Sequence, residues 1–211
     1  MQGYILNTKK SGENNLIIDI LTHKSIIKTM RFYGVRHSSM MIGNKIDFEL
    51  SYNQNYLPIL KESIHLGFMW QNDLDKLTVF LNFIKLLSKY LKDVKECDSY
   101  YYEILEQITS RLMFQDAQRV VVDAYVKMLH LEGRLHNINI CYVCDSDLLD
   151  NNIHLSSGLL PLCNKCHELS FKQNNTLFLK SELSDLISNF NSSLLDDDKI
   201  EAIYQIINFG L

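Results

Sequence analysis

Proline is nearly absent from this 211-residue chain, with two residues, and glycine is sparse, with eight. Collagen-like and low-complexity architectures need one or both in quantity, so they are excluded. No window holds 18 uninterrupted apolar residues, so no membrane association through a spanning helix is expected. The apolar run at Tyr4–Leu6 is too short for a secretory signal and is soon followed by Lys9 and Lys10. A cytoplasmic protein with reduced thiols is therefore expected. The chain also lacks the phosphate loop GxxxxGK[ST], the nucleophile elbow GxSxG and the metalloprotease HExxH. No enzyme is expected from these patterns.

Charge is present but unevenly placed. The formal net charge is −4, which taken alone argues against a nucleic-acid partner. Residues 1–45, however, hold seven cations (Lys9, Lys10, Lys24, Lys28, Arg31, Arg36, Lys45) against Glu13 and Asp19, a balance of 7 − 2 = +5. The remainder carries −4 − 5 = −9, with clusters at Asp145, Asp147, Asp150 and at Asp196, Asp197, Asp198. Such asymmetry says more about partners than the total does.

The cationic stretch lies among strand-like segments. Gly3–Lys10, Asn15–Leu21, Ser25–Tyr33, Lys45–Tyr52 and Tyr56–Leu66 are rich in β-branched and aromatic residues, separated by polar breaks. In the fourth, Ile46, Phe48 and Leu50 alternate with Lys45, Asp47 and Glu49, giving one buried and one wet face. Five short strands in so few residues predict a small barrel of the OB type over residues 1–70, with an SH3-like barrel the other topology. Neighbours on a strand face opposite ways, so one of Phe32 and Tyr33 is expected in the core, the other being a candidate stacking residue.

After Trp70 the period changes from two to three or four. Leu74, Leu77, Leu81, Ile84 and Leu87 or Leu91 stripe a helix over Asp73–Asp93, with Asn72 or Asp73 able to cap it. Ile104, Leu105, Ile108 and Leu112 mark a second helix over Ser99–Phe114. Val120, Val121, Ala124, Met128 and Leu131 mark a third over Asp116–Glu132, ended by Gly133. Two more are expected near Ser181–Phe190 and Asp196–Asn208, the latter with Asp198 and Glu201 at capping-box spacing. The expected fold is α+β: an N-terminal five-stranded OB-type barrel, then a helical bundle over 71–211 with an inserted zinc knuckle at about 135–172.

That insertion carries the sharpest motif. Cys141-Tyr-Val-Cys144 and Cys163-Asn-Lys-Cys166 form two C-x2-C pairs separated by 18 residues. Each pair can offer two sulfurs to one ion, and two pairs complete a tetrahedron around Zn²⁺. Four thiolates leave no open position, so one structural zinc is expected. Cys97 has no partner in sequence and is expected to pack as a small apolar group. His167, next to Cys166, is expected outside the ligand set. Paired cysteines also bracket the metal sites of HNH nucleases, which makes His154 the residue an enzyme alternative would use; the order of residues around it does not fit that motif. A pure protein-interaction module is the third reading.

The order of parts, barrel then helices then four-cysteine insertion, resembles the bacterial RecO family of recombination mediators in DNA repair. Met1-Gln-Gly-Tyr-Ile-Leu6 with Gly12-Glu13, Leu16-Ile17 and Leu21-Thr22 is similar to that family's opening hairpin. Phe32-Tyr33-Gly34-Val35-Arg36-His37-Ser38 resembles a further family segment. The glycine usual between the second and third strands is missing at His23-Lys24-Ser25. The resemblance implies a protein that binds single- and double-stranded DNA, anneals complementary strands, and helps load recombinase onto DNA coated by single-strand-binding protein. The implied partners are RecR and the C-terminal tail of single-strand-binding protein, for whose carboxylate Arg119 and Lys127 are candidates. Lys9, Lys10, Lys24, Lys28, Arg31, Arg36 and Lys45 are the expected DNA-binding set, and Tyr100, Tyr101 and Tyr102 a further aromatic cluster of which at least one ring reaches water.

Overall fold

The computed structural model describes residues 1–36, 38–53, 56–169 and 176–209; His37, Gln54, Asn55 and residues 170–172 of the expected insertion lie outside the described residues. The chain divides into two compact units, Met1–Met113 and Phe114–Leu211.

In the first unit, β1 (Gln2–Ser11), β2 (Asn15–Leu21), β3 (Ile26–Arg31), β4 (Lys45–Ser51) and β5 (Ile59–His65) close into a barrel in the order β1-β2-β3-β5-β4. The pairings are antiparallel except at the seam, where β3 meets β5 in parallel through Met30 and Ile59. This is the five-stranded OB-type arrangement. Period-two alternation fills it: Leu16, Ile18 and Ile20 point inward from β2 and pack with Ile5, Met40, Ile46, Phe48 and Leu60. Gly3 is required for closure. A Cβ there would lie 2.5 Å from Ile20 Cγ2 and 2.8 Å from the Leu21 carbonyl oxygen. The β2–β3 turn needs no glycine, because Thr22 Oγ1 accepts from the backbone N–H of Ser25 at 3.2 Å and itself donates to the Ser25 carbonyl.

Two helices complete this unit, α1 (Leu74–Tyr90) and α2 (Tyr100–Arg111). Asp73 caps α1 by accepting from the backbone N–H groups of Asp75 and Lys76. The buried face of α1 is Val79, Phe80, Phe83, Ile84, Leu86 and Leu87, wider than the expected stripe, and Leu74 at its start is 74% exposed. Ile84, Leu87 and Leu91 of the stripe are buried, and the contact widens beyond it because Phe68 and Trp70 stack at 4.9 Å and Phe80 meets both edge-on. Trp70 Nε1 donates to the Thr109 carbonyl of α2 at 2.8 Å. The change of period at Trp70 thus ends the barrel, while the compact unit continues to Met113.

The second unit is built on α3 (Ala117–Leu131), which buries Val120, Val121, Val122, Asp123, Ala124, Tyr125 and Val126 in succession. It packs with α5 (Lys180–Asn189) and α6 (Asp197–Phe209). Leu131, expected in the core, is exposed at the end of α3. Asp123 accepts from the Ser192 backbone N–H at 2.8 Å, which satisfies both buried groups. The cap of α6 differs from expectation: Asp196, not Asp198, accepts from the Lys199 N–H at 2.9 Å, because the helix starts one residue after Asp196. Between α3 and α5 lie β6 (Asn152–Ser156), β7 (Leu160–Leu162), α4 (Asn164–Glu168) and β8 (Phe178–Leu179), with β6 central in a small antiparallel sheet. No helix among the described residues is long and apolar enough to cross a membrane.

Candidate nucleic-acid interface and metal centre

Register distributes the seven expected DNA-binding cations over three parts of the barrel. Asn7 pairs with Asp19, and Lys9 with Ile17, while Asp19 and Ile17 pair with Lys28 and Met30. Lys9 and Lys28 therefore stand on the outer face of β1-β2-β3, both exposed, with Lys28 Nζ 3.8 Å from Asp19. Lys10 pairs with Leu16, which pairs with Arg31, so both lie at the end of the barrel reached by the β1–β2 hairpin. Arg36 follows in a one-turn helical segment, its backbone N–H donating to the Tyr33 carbonyl. Lys24 and Lys45 lie at the opposite end, in the β2–β3 turn and at the start of β4.

These cations are not equally available. Lys9, Lys10, Lys24 and Arg36 are exposed and, among the described residues, have no carboxylate partner within 4.0 Å. Arg31 commits its guanidinium to the carbonyls of Leu60, at 2.8 Å, and Lys61. Lys45 Nζ is half-buried 2.7 Å from Glu106 of α2. These two hold the unit together at its seam and its base.

The aromatic expectations change. Both Phe32 and Tyr33 are outside the core, 47% and 62% exposed. Strand alternation stops at Arg31, and Tyr33 turns left-handed at φ 55°, with its N–H held by Asn15 Oδ1 at 3.2 Å. At the opposite end Tyr101 is buried, and Tyr102 packs on Tyr4 with ring centroids 5.5 Å apart. Tyr52 and Tyr56, which strand patterning left inside the expected fourth and fifth strands, are 71% and 76% exposed in the β4–β5 connection. Two tyrosines flanking Asn53-Gln54-Asn55 were the available sign of a loop.

The four cysteines of the paired motif converge. The sulfurs of Cys141, Cys144, Cys163 and Cys166 all lie within 4.8 Å of one another. Cys144 and Cys163 Sγ are 3.8 Å apart, matching the sulfur separation of about 3.8 Å that a tetrahedron with 2.3 Å Zn–S bonds requires. Local structure presents them. The first pair lies in a turn in which Asp145 N–H donates to the Cys141 carbonyl, and the second opens α4, with Cys163 as its cap. The backbone N–H groups of Cys163 and Cys166 donate to Cys141 Sγ and Cys163 Sγ, each at 3.4 Å. The Ser146 hydroxyl holds the Cys144 thiol down to about 6, while Cys144 and Cys163 push Cys166 up to about 12. Crowded thiols ionise together only beside a cation, so the donor set fits Zn²⁺.

His167 lies outside the ligand set, buried and stacked on His154 with ring centroids 3.6 Å apart. Burial, then the neighbouring imidazole, hold His154 below its ordinary range. Its position within the small sheet is that of a packed group and offers no support for the nuclease alternative. Cys97 lines a cleft with Lys24, Tyr90 and Tyr101, its thiol pushed up by burial and then by Asp98. Arg119 is engaged by the carbonyls of Ser192 and Leu195 and by Asp197 at 2.6 Å, so its charge is met within the second unit.

A closed OB-type barrel bearing exposed cations, in one chain with a four-thiol cluster, fits a DNA-binding protein. Residues 1–71 match the family model described as RecO N terminal, so this part of the chain is similar to the N-terminal domain of RecO proteins. The match ends one residue past Trp70 and so coincides with the barrel. No curated protein matches the chain.

Proposed function

We propose that the protein is a recombination mediator that binds and anneals DNA and helps load recombinase onto single-stranded DNA covered by single-strand-binding protein. The observation that carries this reading is the coincidence of the RecO N-terminal match with the closed barrel that holds the +5 segment. Lys9, Lys10, Lys24, Lys28 and Arg36 are the proposed phosphate contacts, with Arg31 and Lys45 contributing to the field from fixed positions. Each phosphate neutralised releases condensed counterions, which drives binding without reading sequence. Holding two strands on one cationic surface lowers their mutual repulsion and favours annealing. Neither step needs ATP, and the protein is not an enzyme in this reading. RecR and the tail of single-strand-binding protein are the proposed partners, the cytoplasm the proposed compartment, and one structural Zn²⁺ the proposed ion.

A salt-titrated binding and annealing assay on the full chain tests this. Affinity should fall linearly in log–log form with salt, and annealing of complementary strands should follow it. Binding indifferent to salt, or absent at low salt, would sink the reading.

A further inference from the structure

Residues 1–45 are not the only cationic stretch of the first unit. Residues 76–95 hold five lysines against one acid, Asp93, a balance of 5 − 1 = +4. Lys76 is met by Asp73 at 4.0 Å. Lys85, Lys89, Lys92 and Lys95 are all exposed and, among the described residues, have no carboxylate within 4.0 Å. Helical geometry sets Lys85 and Lys89 about 40° apart around α1, opposite the buried side chains of Phe80, Phe83, Ile84 and Leu87. Like charges at this spacing repel, and no carboxylate on the helix relieves them. The helix dipole favours Lys89 in the last turn, but its influence does not reach back to Lys85.

The line of charge then turns toward the barrel. Lys92 N–H donates to the Lys89 carbonyl at 3.3 Å, and Ile26 N–H donates to the Lys95 carbonyl at 3.0 Å. Ser25 and Glu96 form an antiparallel bridge. These bonds tie the segment after α1 to the β2–β3 turn, and Lys24 and Lys95 each adjoin the bridged pair. Asp93, Glu96 and Asp98 lie in the same segment, and none of them pairs with these lysines among the described residues.

We propose that Lys85, Lys89, Lys92 and Lys95 carry the phosphate-binding surface from Lys24 off the barrel and along α1, so that one DNA strand is held by both. This rests on the DNA-binding reading above and extends the contact beyond residues 1–71, the part of the chain similar to the RecO N-terminal domain. An ammonium on a flexible stem meets a phosphate as a point charge and reads no base, which suits a repeating backbone. On the exposed face beside Lys85 and Lys89, Thr78, Asn82 and Ser88 are polar, and Leu81 lies against Gly43. No large apolar side chain stands free there to anchor an acidic protein segment.

Salt-titrated binding of a long oligothymidine strand by the full chain tests the proposal, with polyglutamate of equal charge as the protein-like probe. Lys85→Gln, Lys89→Gln, Lys92→Gln and Lys95→Gln together should lower the magnitude of the log K against log salt slope by about 2 to 3, at about 0.7 per phosphate. Thermal melting should stay unchanged, since the four side chains are exposed and make no ion pair. The four corresponding arginine substitutions should retain the slope. Lys76→Gln, on the same helix but beside Asp73, should not alter it. Adding Lys9→Gln and Lys10→Gln to the four should lower the slope further, as separate contacts do. If the fourfold glutamine variant keeps the full slope and affinity while Lys9→Gln with Lys10→Gln lowers them, the extension along α1 is overturned and DNA binding by the barrel stands. Loss of polyglutamate binding without loss of DNA binding assigns the surface to an acidic protein instead. Failure of the unsubstituted chain to bind the strand removes the DNA-binding reading itself.

Discussion

Lys45 Nζ lies 2.7 Å from Glu106 Oε1, and the Tyr4 hydroxyl donates to that same oxygen at 2.6 Å, so one carboxylate of α2 joins two strands of the barrel. Burial, then the Glu106 bond, pushes the Tyr4 hydroxyl far above its ordinary range, so it remains a donor at every working pH. Glu106→Ala would leave a half-buried ammonium and a buried hydroxyl short of a partner. The expected cost is about 2 kcal/mol, the penalty for orphaned polar groups. Urea unfolding should show a lower midpoint with an unchanged slope. Lys45→Met combined with Glu106→Leu should recover part of the loss; if the double substitution is as damaging as the single one, the pair is not the cause.

The same contact separates Lys45 from the other cations. Lys10→Ala and Arg36→Ala should each lower the magnitude of the log K against log salt slope by about 0.7 on a single strand, one phosphate apiece. Lys45→Ala should leave that slope unchanged and lower thermal stability instead. Equal slopes for all three variants would remove the distinction.

Zinc content is checked by metal analysis of the purified chain, which should return about one ion per chain. Cys163→Ser should lose it and unfold β6, β7 and α4, since metal affinity here is folding free energy. Cys97→Ser should change neither metal content nor stability of the second unit. Full zinc retention by the Cys163→Ser variant would contradict the tetrathiolate site.

Acid should loosen α6 through its cap. The Lys199 backbone N–H, and then the Lys199 charge, hold the Asp196 carboxyl below its ordinary range, a depressed folded-state value. Such a group adds stability that is present above its unfolded value and is lost as pH falls through the lowered folded one. Circular dichroism between about pH 5 and 2 should show helix lost at higher pH in Asp196→Asn than in the unsubstituted chain. Asp196→Ala should cost about 1 kcal/mol at neutral pH. An identical acid limb in the Asn variant would mean the cap carries no charge dependence.

Much of this fold is written locally. Alternation in Ile46-Asp47-Phe48 gives β4, and the C-x2-C pairs name the metal ligands without any knowledge of shape. Cap chemistry announces α1 through Asp73. What local pattern cannot hold is contact across long sequence separations. Nothing near Lys45 signals Glu106, and nothing near Arg31 signals the carbonyls of Leu60 and Lys61, so charge alone made all seven cations look equivalent. Tyr52 and Tyr56 were hidden for the opposite reason: tyrosine favours strands, and propensity extended β4 and β5 into a connection whose rings face solvent. The same β-propensity carried β3 past Arg31 into Phe32 and Tyr33.

The parallel join of β3 to β5 has a consequence for the order in which the barrel assembles. Hairpins β1–β2 and β2–β3 close over a few residues, but the seam must bring Met30 to Ile59 across the whole β4 segment, so it forms late. Among the described residues it has the shortest ladder of any strand pair in the barrel, and it is reinforced by Thr29, Met30 and Arg31 reaching the carbonyls of residues 58, 60 and 61. The amide of Met30 should therefore exchange with deuterium sooner than those of Ile18 and Ile20, by opening events too local to unfold the rest. The β4–β5 connection enters β5 at that same weakly laddered edge, so local opening of the seam should free this connection before the antiparallel ladders on either side yield.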